Sequence, residues 1–168
     1  MKNAYYVEGD YAFIILPNEV HGVFEAKIDI EDLELVKGYP GKWLCNRNVN
    51  TGTSYCCGYY KEKTIGLHRW ILKPPEGKEV DHINHDTLDN SKGNLRVVTH
   101  AENQQNKKGA YKNSKSGVRG VFWNRSNRKW ETQIRVNSKK IYLGKYHDLE
   151  KAKKVVEDAR KKYMKFAT

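Results

Sequence analysis

Cysteine is scarce in this chain: three residues, Cys45, Cys56 and Cys57, among 168. An odd number with two side by side supplies neither a disulfide framework nor the C-x-x-C spacing of a zinc pair, so reduced, partly buried thiols are expected. Long apolar runs are also missing. The longest, Tyr11 to Leu16, falls far short of the roughly 20 residues a membrane helix needs, and Met1-Lys2-Asn3-Ala4 opens no hydrophobic leader. These two absences predict a soluble chain without a membrane partner, kept in the cytoplasm. Acidic residues, finally, are sparse toward the C-terminus. Residues 104–168 hold five against 19 basic ones, while 1–103 hold 15 against 12, so all of the net charge of +11 belongs to the last part of the chain.

What is present narrows the class. An apolar content of 38% with 11% aromatics excludes simple disorder, and the length suits one ordinary domain or two small ones. A concentrated positive field is what a polyanion-binding module needs, because each phosphate it neutralises releases condensed counterions. Lys151, Lys153, Lys154, Lys161 and Lys162 read as the solvated face of a helix. Lys107, Lys108, Lys112, Lys115, Arg119, Arg125, Arg128, Lys129, Arg135 and Lys139 instead precede that helix and are interleaved with aromatics. That arrangement favours nucleic acid.

Short alternating runs between Gly and Asn clusters predict antiparallel strands from Tyr5 to about Tyr60, with one helical piece near Glu31 to Leu35. Pro74-Pro75 stops an apolar segment that begins around Thr64. Next come a short strand (79–84), a polar loop from His85 to Gly93 and a second strand (94–98). Thr99-His100-Ala101-Glu102 then fits a capping box, so a helix begins there and runs through Asn103 and Asn106 toward Lys108. The stretch 109–116, small, polar and basic, reads as a linker. Three strands come after it, at 120–124, 129–137 and 140–146, with turns at Ser126-Asn127 and Asn137-Ser138. Leu149, Ala152, Val156, Ala159 and Tyr163 recur at helical spacing, which predicts an amphipathic helix over 149–165. Three strands under one helix leave one sheet face open to solvent or a ligand.

Asp81-His82 at the end of a strand is the sharpest chemical feature. A metal-dependent phosphodiesterase needs hard oxygen ligands and a neutral imidazole that deprotonates water. Asp81 supplies the first and His82 the second. Asn103, on the first turns of the following helix, offers a further oxygen, and Asn94 can pin the loop through side-chain to backbone bonds. His68, inside an apolar Leu-His-Arg-Trp segment, reads as structural, His85 and His100 as surface residues, and Trp43 and Trp70 as core.

Asp81-His82-Ile83-Asn84-His85-Asp86-Thr87-Leu88-Asp89-Asn90, Gly93-Asn94-Leu95-Arg96-Val97-Val98-Thr99 and Glu102-Asn103-Gln104-Gln105-Asn106, in that order, resemble the HNH endonucleases of phage and group I introns. Leu67-His68-Arg69 and Ile28-Asp29-Ile30-Glu31-Asp32 look like the lead-in of the same subfamily. The resemblance implies a ββα-metal fold with His82 as general base, Asp81 and Asn103 as metal ligands and Asn94 as the Asn that orients the loop. A final Asn in place of His favours Mg²⁺ or Mn²⁺, one per active site. It also implies a phage- or intron-encoded protein at work in a bacterial host.

The basic part resembles a second family. Ser116-Gly117-Val118-Arg119-Gly120-Val121, Lys129-Trp130-Glu131-Thr132-Gln133-Ile134-Arg135 and Ile141-Tyr142-Leu143-Gly144-Lys145-Tyr146 are similar to the AP2 (ethylene-response type) DNA-binding domain, whose open sheet face lies in the major groove. The matching positions are Arg119, Trp130, Gln133, Arg135 and Tyr142, with Arg119 and Arg135 facing guanines. The first hairpin departs from plant members, so Trp123, Arg125 and Arg128 fit phosphate contacts better.

The expected fold is therefore α+β. A small β-rich domain with a ββα-metal (HNH) motif occupies 1–108 (lead-in 1–66, core 67–108), 109–116 links, and an AP2-like three-stranded antiparallel sheet packed on one helix occupies 117–168. The expected function is site-directed hydrolysis of double-stranded DNA by a monomer, a homing or nicking enzyme. The alternative is a sequence-specific DNA-binding regulator whose HNH part is an inactive scaffold.

Overall fold

A computed structural model of the chain describes every residue except Glu19, Asn50, Lys108, Tyr111, Lys112, Ser138 and Thr168. The positive charges expected at Lys108 and Lys112, the Lys108 end of the third helix and the Ser138 half of a turn lie outside the described residues. Small antiparallel sheets and short helices make a mixed α+β protein of two compact units, Met1–Val98 and Thr99–Thr168. Among the described residues no helix is long and apolar enough to cross a membrane.

In the first unit, β1 (Tyr5–Glu8), β2 (Tyr11–Asn18) and β3 (Gly22–Asp29) form an antiparallel meander. Period-2 alternation turns Ala12, Ile14 and Leu16 of β2 and Ala26 and Ile28 of β3 inward. They meet Leu33 and Val36 of α1 (Leu33–Lys37), Leu67 and Ile71 of α2 (Leu67–Leu72), and the fully buried Trp43. The Trp43 ring lies 4.2 Å from Tyr39 and 6.2 Å from Trp70. The Asn3 side chain seals this core, donating to the Trp43 carbonyl at 2.9 Å and accepting from its N–H at 2.7 Å. A second sheet joins β4 (Leu44–Arg47), β5 (Ser54–Tyr60) and β6 (Lys63–Gly66). Cys45 and Cys56 face each other across it as free, buried thiols. Burial pushes the Cys56 thiol well up, so it stays protonated and inert.

A hairpin of β7 (Glu79–His82) and β8 (Leu95–Val98) completes this unit. The long loop between them is held by β3. Lys27 donates its N–H to the Leu88 carbonyl at 2.9 Å and accepts from Asn90 N–H at 2.7 Å. Asp29 accepts from the Lys92 N–H at 2.6 Å, and the Lys92 ammonium sits 2.6 Å from Glu31 and 2.9 Å from Asp32. The β-rich lead-in is thus the frame of the loop.

In the second unit, α3 (His100–Asn106) opens on the capping box read from the sequence, with Thr99 and Glu102 each accepting from the other's backbone N–H. The sheet β9 (Val121–Asn124), β10 (Lys129–Val136) and β11 (Lys139–Tyr146) runs in the order β11-β10-β9. Val121 and Ile134 pack on Ala152, Val156 and Ala159 of α4 (Leu149–Tyr163), which Asp148 caps. Gly120 stands where a Cβ would meet the Gln133 carbonyl at 2.5 Å, at φ +96°. The helical repeat departs at its end: Tyr163 is exposed, and Met164 just beyond fills the core instead. The units part ahead of the 109–116 stretch because α3 is tied to residues on its C-terminal side. Arg119 donates to the Gln104 carbonyl and Arg160 to the Gln105 carbonyl, each at 2.9 Å.

Candidate active site

Asp81 and His82 end β7, both buried. Asp81 opposes Arg96 on β8, and the guanidinium grips its Oδ2 through Nε at 2.8 Å and Nη2 at 2.7 Å. The His82 ring lies edge-on to His68 at 5.1 Å and to Tyr55 at 6.1 Å. Burial lowers the His82 pKa, against the opposing pull of Asn90 and of Asp81, Asp86 and Asp89, which keeps the imidazole neutral at physiological pH. His68 is pushed down to about 4 by burial, with His82 and Arg69 adding to the shift, so two neutral imidazoles stand together.

Asn90 orients this histidine. It is fully buried, its Nδ2 donates to the Leu88 carbonyl at 2.9 Å, and its Oδ1 therefore faces His82 Nε2, at 3.4 Å. An amide oxygen there favours the tautomer with its proton on Nε2. Asn90→Ala is expected to lower the turnover rate about 10–100-fold, the scale of lost support behind a reactive group, with KM little changed in steady-state kinetics. Asn94 binds the loop at three points. Its Oδ1 accepts from Asn84 N–H at 2.9 Å, and its Nδ2 donates to the Asp89 carbonyl at 2.8 Å and the Asp86 carbonyl at 3.4 Å. The Thr87 hydroxyl donates to the Ser54 carbonyl, fixing the loop tip to β5.

Asn103, half-buried, is carried by α3 of the second unit. Asp81 offers a carboxylate and Asn103 an amide oxygen, each a ligand type that a hard divalent ion takes. A carboxylate has acceptor capacity on both oxygens, so the pairing with Arg96 is compatible with a metal. In the carboxylate cluster elsewhere, Asp29, Glu31 and Asp32, Asp29 accepts from the Lys92 backbone N–H and the other two hold its ammonium.

On the basic unit, Gln133 and Tyr142 are direct cross-strand partners, and Arg135 pairs with Lys140. Trp123 and Trp130 also oppose each other, ring centroids 4.9 Å apart, but Trp130 packs on the helix-side core. Alternation explains this: Trp130 shares its parity with buried Thr132 and Ile134, and Gln133 and Arg135 share the other. Arg119, expected to face a guanine, directs Nη1 to the Gln104 carbonyl of α3 at 2.9 Å. Arg128 occupies the turn before β10 at φ +52°, and Arg125 lines a cavity of about 350 Å³ with Phe122 and Trp123.

Sequence reasoning missed Tyr55 and Asn90 and set His68 aside. Asn90 lay inside the motif, whereas Tyr55 reaches the site only through β5 and carried no local signal. A family model for HNH endonucleases matches residues 66–105, the span from the cap of α2 through β7, the loop and β8 into α3. This segment is therefore similar to the HNH endonuclease family. Domains of this family make nucleases that act on DNA, generally with a divalent metal. No curated protein and no solved structure matches.

Proposed function

We propose that this chain is a site-directed DNA endonuclease that hydrolyses phosphodiester bonds with one divalent metal, acting as a homing or nicking enzyme and as a monomer on double-stranded DNA. The observation that carries this reading is the buried, neutral His82 beside Asp81, its ring oriented by Asn90 and its loop pinned by Asn94. In the proposed reaction His82 takes a proton from water, and the oxygen attacks phosphorus in line. Mg²⁺ or Mn²⁺ held by Asp81 and Asn103 would supply the positive charge that stabilises the phosphorane-like transition state and the departing 3′-oxygen. Asn94 keeps the loop that bears these groups in shape. The AP2-like unit, with Gln133, Arg135 and Tyr142 on its open face, fixes the position on the duplex.

The chemistry sets the product ends. Attack that expels the 3′-oxygen leaves a 5′-phosphate and a 3′-hydroxyl, so the nicks are expected to be closed by DNA ligase without prior kinase or phosphatase treatment. Nicks that ligase seals only after such treatment would contradict the mechanism.

A further inference from the structure

Within the second unit, α3, the β9–β11 sheet and the C-terminal end of α4 border a cleft of about 530 Å³. Four cations line it, Arg119, Arg135, Lys140 and Arg160, and among the described residues no carboxylate does. Arg119 and Arg160 direct N–H groups to the carbonyls of Gln104 and Gln105, neutral partners that leave both charges uncompensated. Burial lowers the Arg160 pKa, and the nearby Arg119 charge lowers it further. Half-buried cations are ordinarily paired. Farther along the same sheet the exposed Lys145 has a carboxylate partner, Glu131 at 3.0 Å.

We propose that this cleft binds a backbone phosphate of duplex DNA. A phosphodiester brings the missing negative charge and oxygens that suit the guanidinium fork, and Gln104 and Gln133 on the cleft wall add neutral donors. This deepens the endonuclease reading and rests on it: the phosphate grip adds Lys140 and Arg160 to the DNA surface and fastens the strand to the helix that bears Asn103. A phosphate contact carries no base information, so its contribution is uniform over sequences.

The test measures DNA affinity of the full chain in EDTA across a salt series, with two duplexes of unrelated sequence, for wild type, Lys140→Gln and Arg160→Gln. Lys140 is exposed on a strand, so its variant is a test that does not depend on the hold of Arg160 on α3. Circular dichroism verifies the fold of each. The expected result is that each substitution weakens both duplexes alike and lowers the slope of log K against log salt by about 0.9, the value for one phosphate contact. A wild type with a steep slope that both variants retain overturns the cleft proposal alone. Weakening confined to one duplex would make these side chains base readers and overturns it too. Inorganic pyrophosphate, titrated separately, distinguishes a free anion as the occupant: saturation by pyrophosphate with unchanged DNA binding in Lys140→Gln overturns the assignment to DNA. A wild type that binds no DNA overturns the endonuclease reading itself and this proposal with it.

Discussion

His82→Ala is expected to lower the rate of DNA cutting by about 10²–10⁴-fold, the usual contribution of a positioned general base. The binding of DNA in EDTA should stay at the wild-type level. The split arises from where the side chain sits. His82 is buried between His68, Tyr55 and Asn90 and belongs to the Met1–Val98 unit, whereas the excess positive charge lies in residues 104–168. Removing a neutral imidazole therefore takes away a proton acceptor without altering the charge that attracts DNA. Single-turnover cutting measures the first quantity and a salt-resolved binding isotherm the second. Added imidazole should restore part of the lost rate to the alanine variant, because the hole left by the ring is bordered by the same Asn90 acceptor. An equal loss of affinity and rate would instead make His82 a binding residue.

The second large effect is on stability. Trp43→Ala should cost about 3–5 kcal/mol, the range for deleting a large buried aromatic. Trp43 is fully buried against Tyr39 and Trp70, and the fold around it gains further from Asn3, which bonds both its backbone N–H and its carbonyl. Alanine keeps those backbone bonds and leaves a void beneath α2, the helix that bears His68. Urea unfolding followed by circular dichroism reads the loss. The second unit has its own core around Val156 and Ile134, so the shift should be confined to the transition of the first unit. A single transition displaced as a whole would mean that the two cores unfold together.

Much of this architecture was legible from local chemistry. Alternation in β2, the Thr99–Glu102 capping box and the spacing of Ala152, Val156 and Ala159 are each decided by neighbours a few residues away, and each appears where the sequence puts it. The motif from Asp81 to Asn94 was legible for the same reason, since one hairpin and its loop contain it. Other features depend on distant backbone. Arg119 looks like a free guanidinium until the Gln104 carbonyl is set beside it. His68 reads as an ordinary core imidazole until α2 brings it against His82. Lys92 and Asp29 are unremarkable charges in sequence, and only the pairing of β3 with the loop makes them a clasp. Trp130 is a different case: strand parity already sets it on the side of Ile134, opposite to Gln133 and Arg135.

The central claim is that the HNH segment of this chain cuts DNA with a divalent metal. It is tested most directly by incubating supercoiled DNA, rich in phage and host sequence, with the metal-stripped full chain, then adding Mg²⁺ or Mn²⁺, with EDTA and His82→Ala in parallel. Conversion to open circle by the wild type alone, and only after metal is added, is the expected result. DNA that both proteins bind and neither cuts with either ion would contradict it, and would leave a DNA-binding regulator on an inactive HNH scaffold.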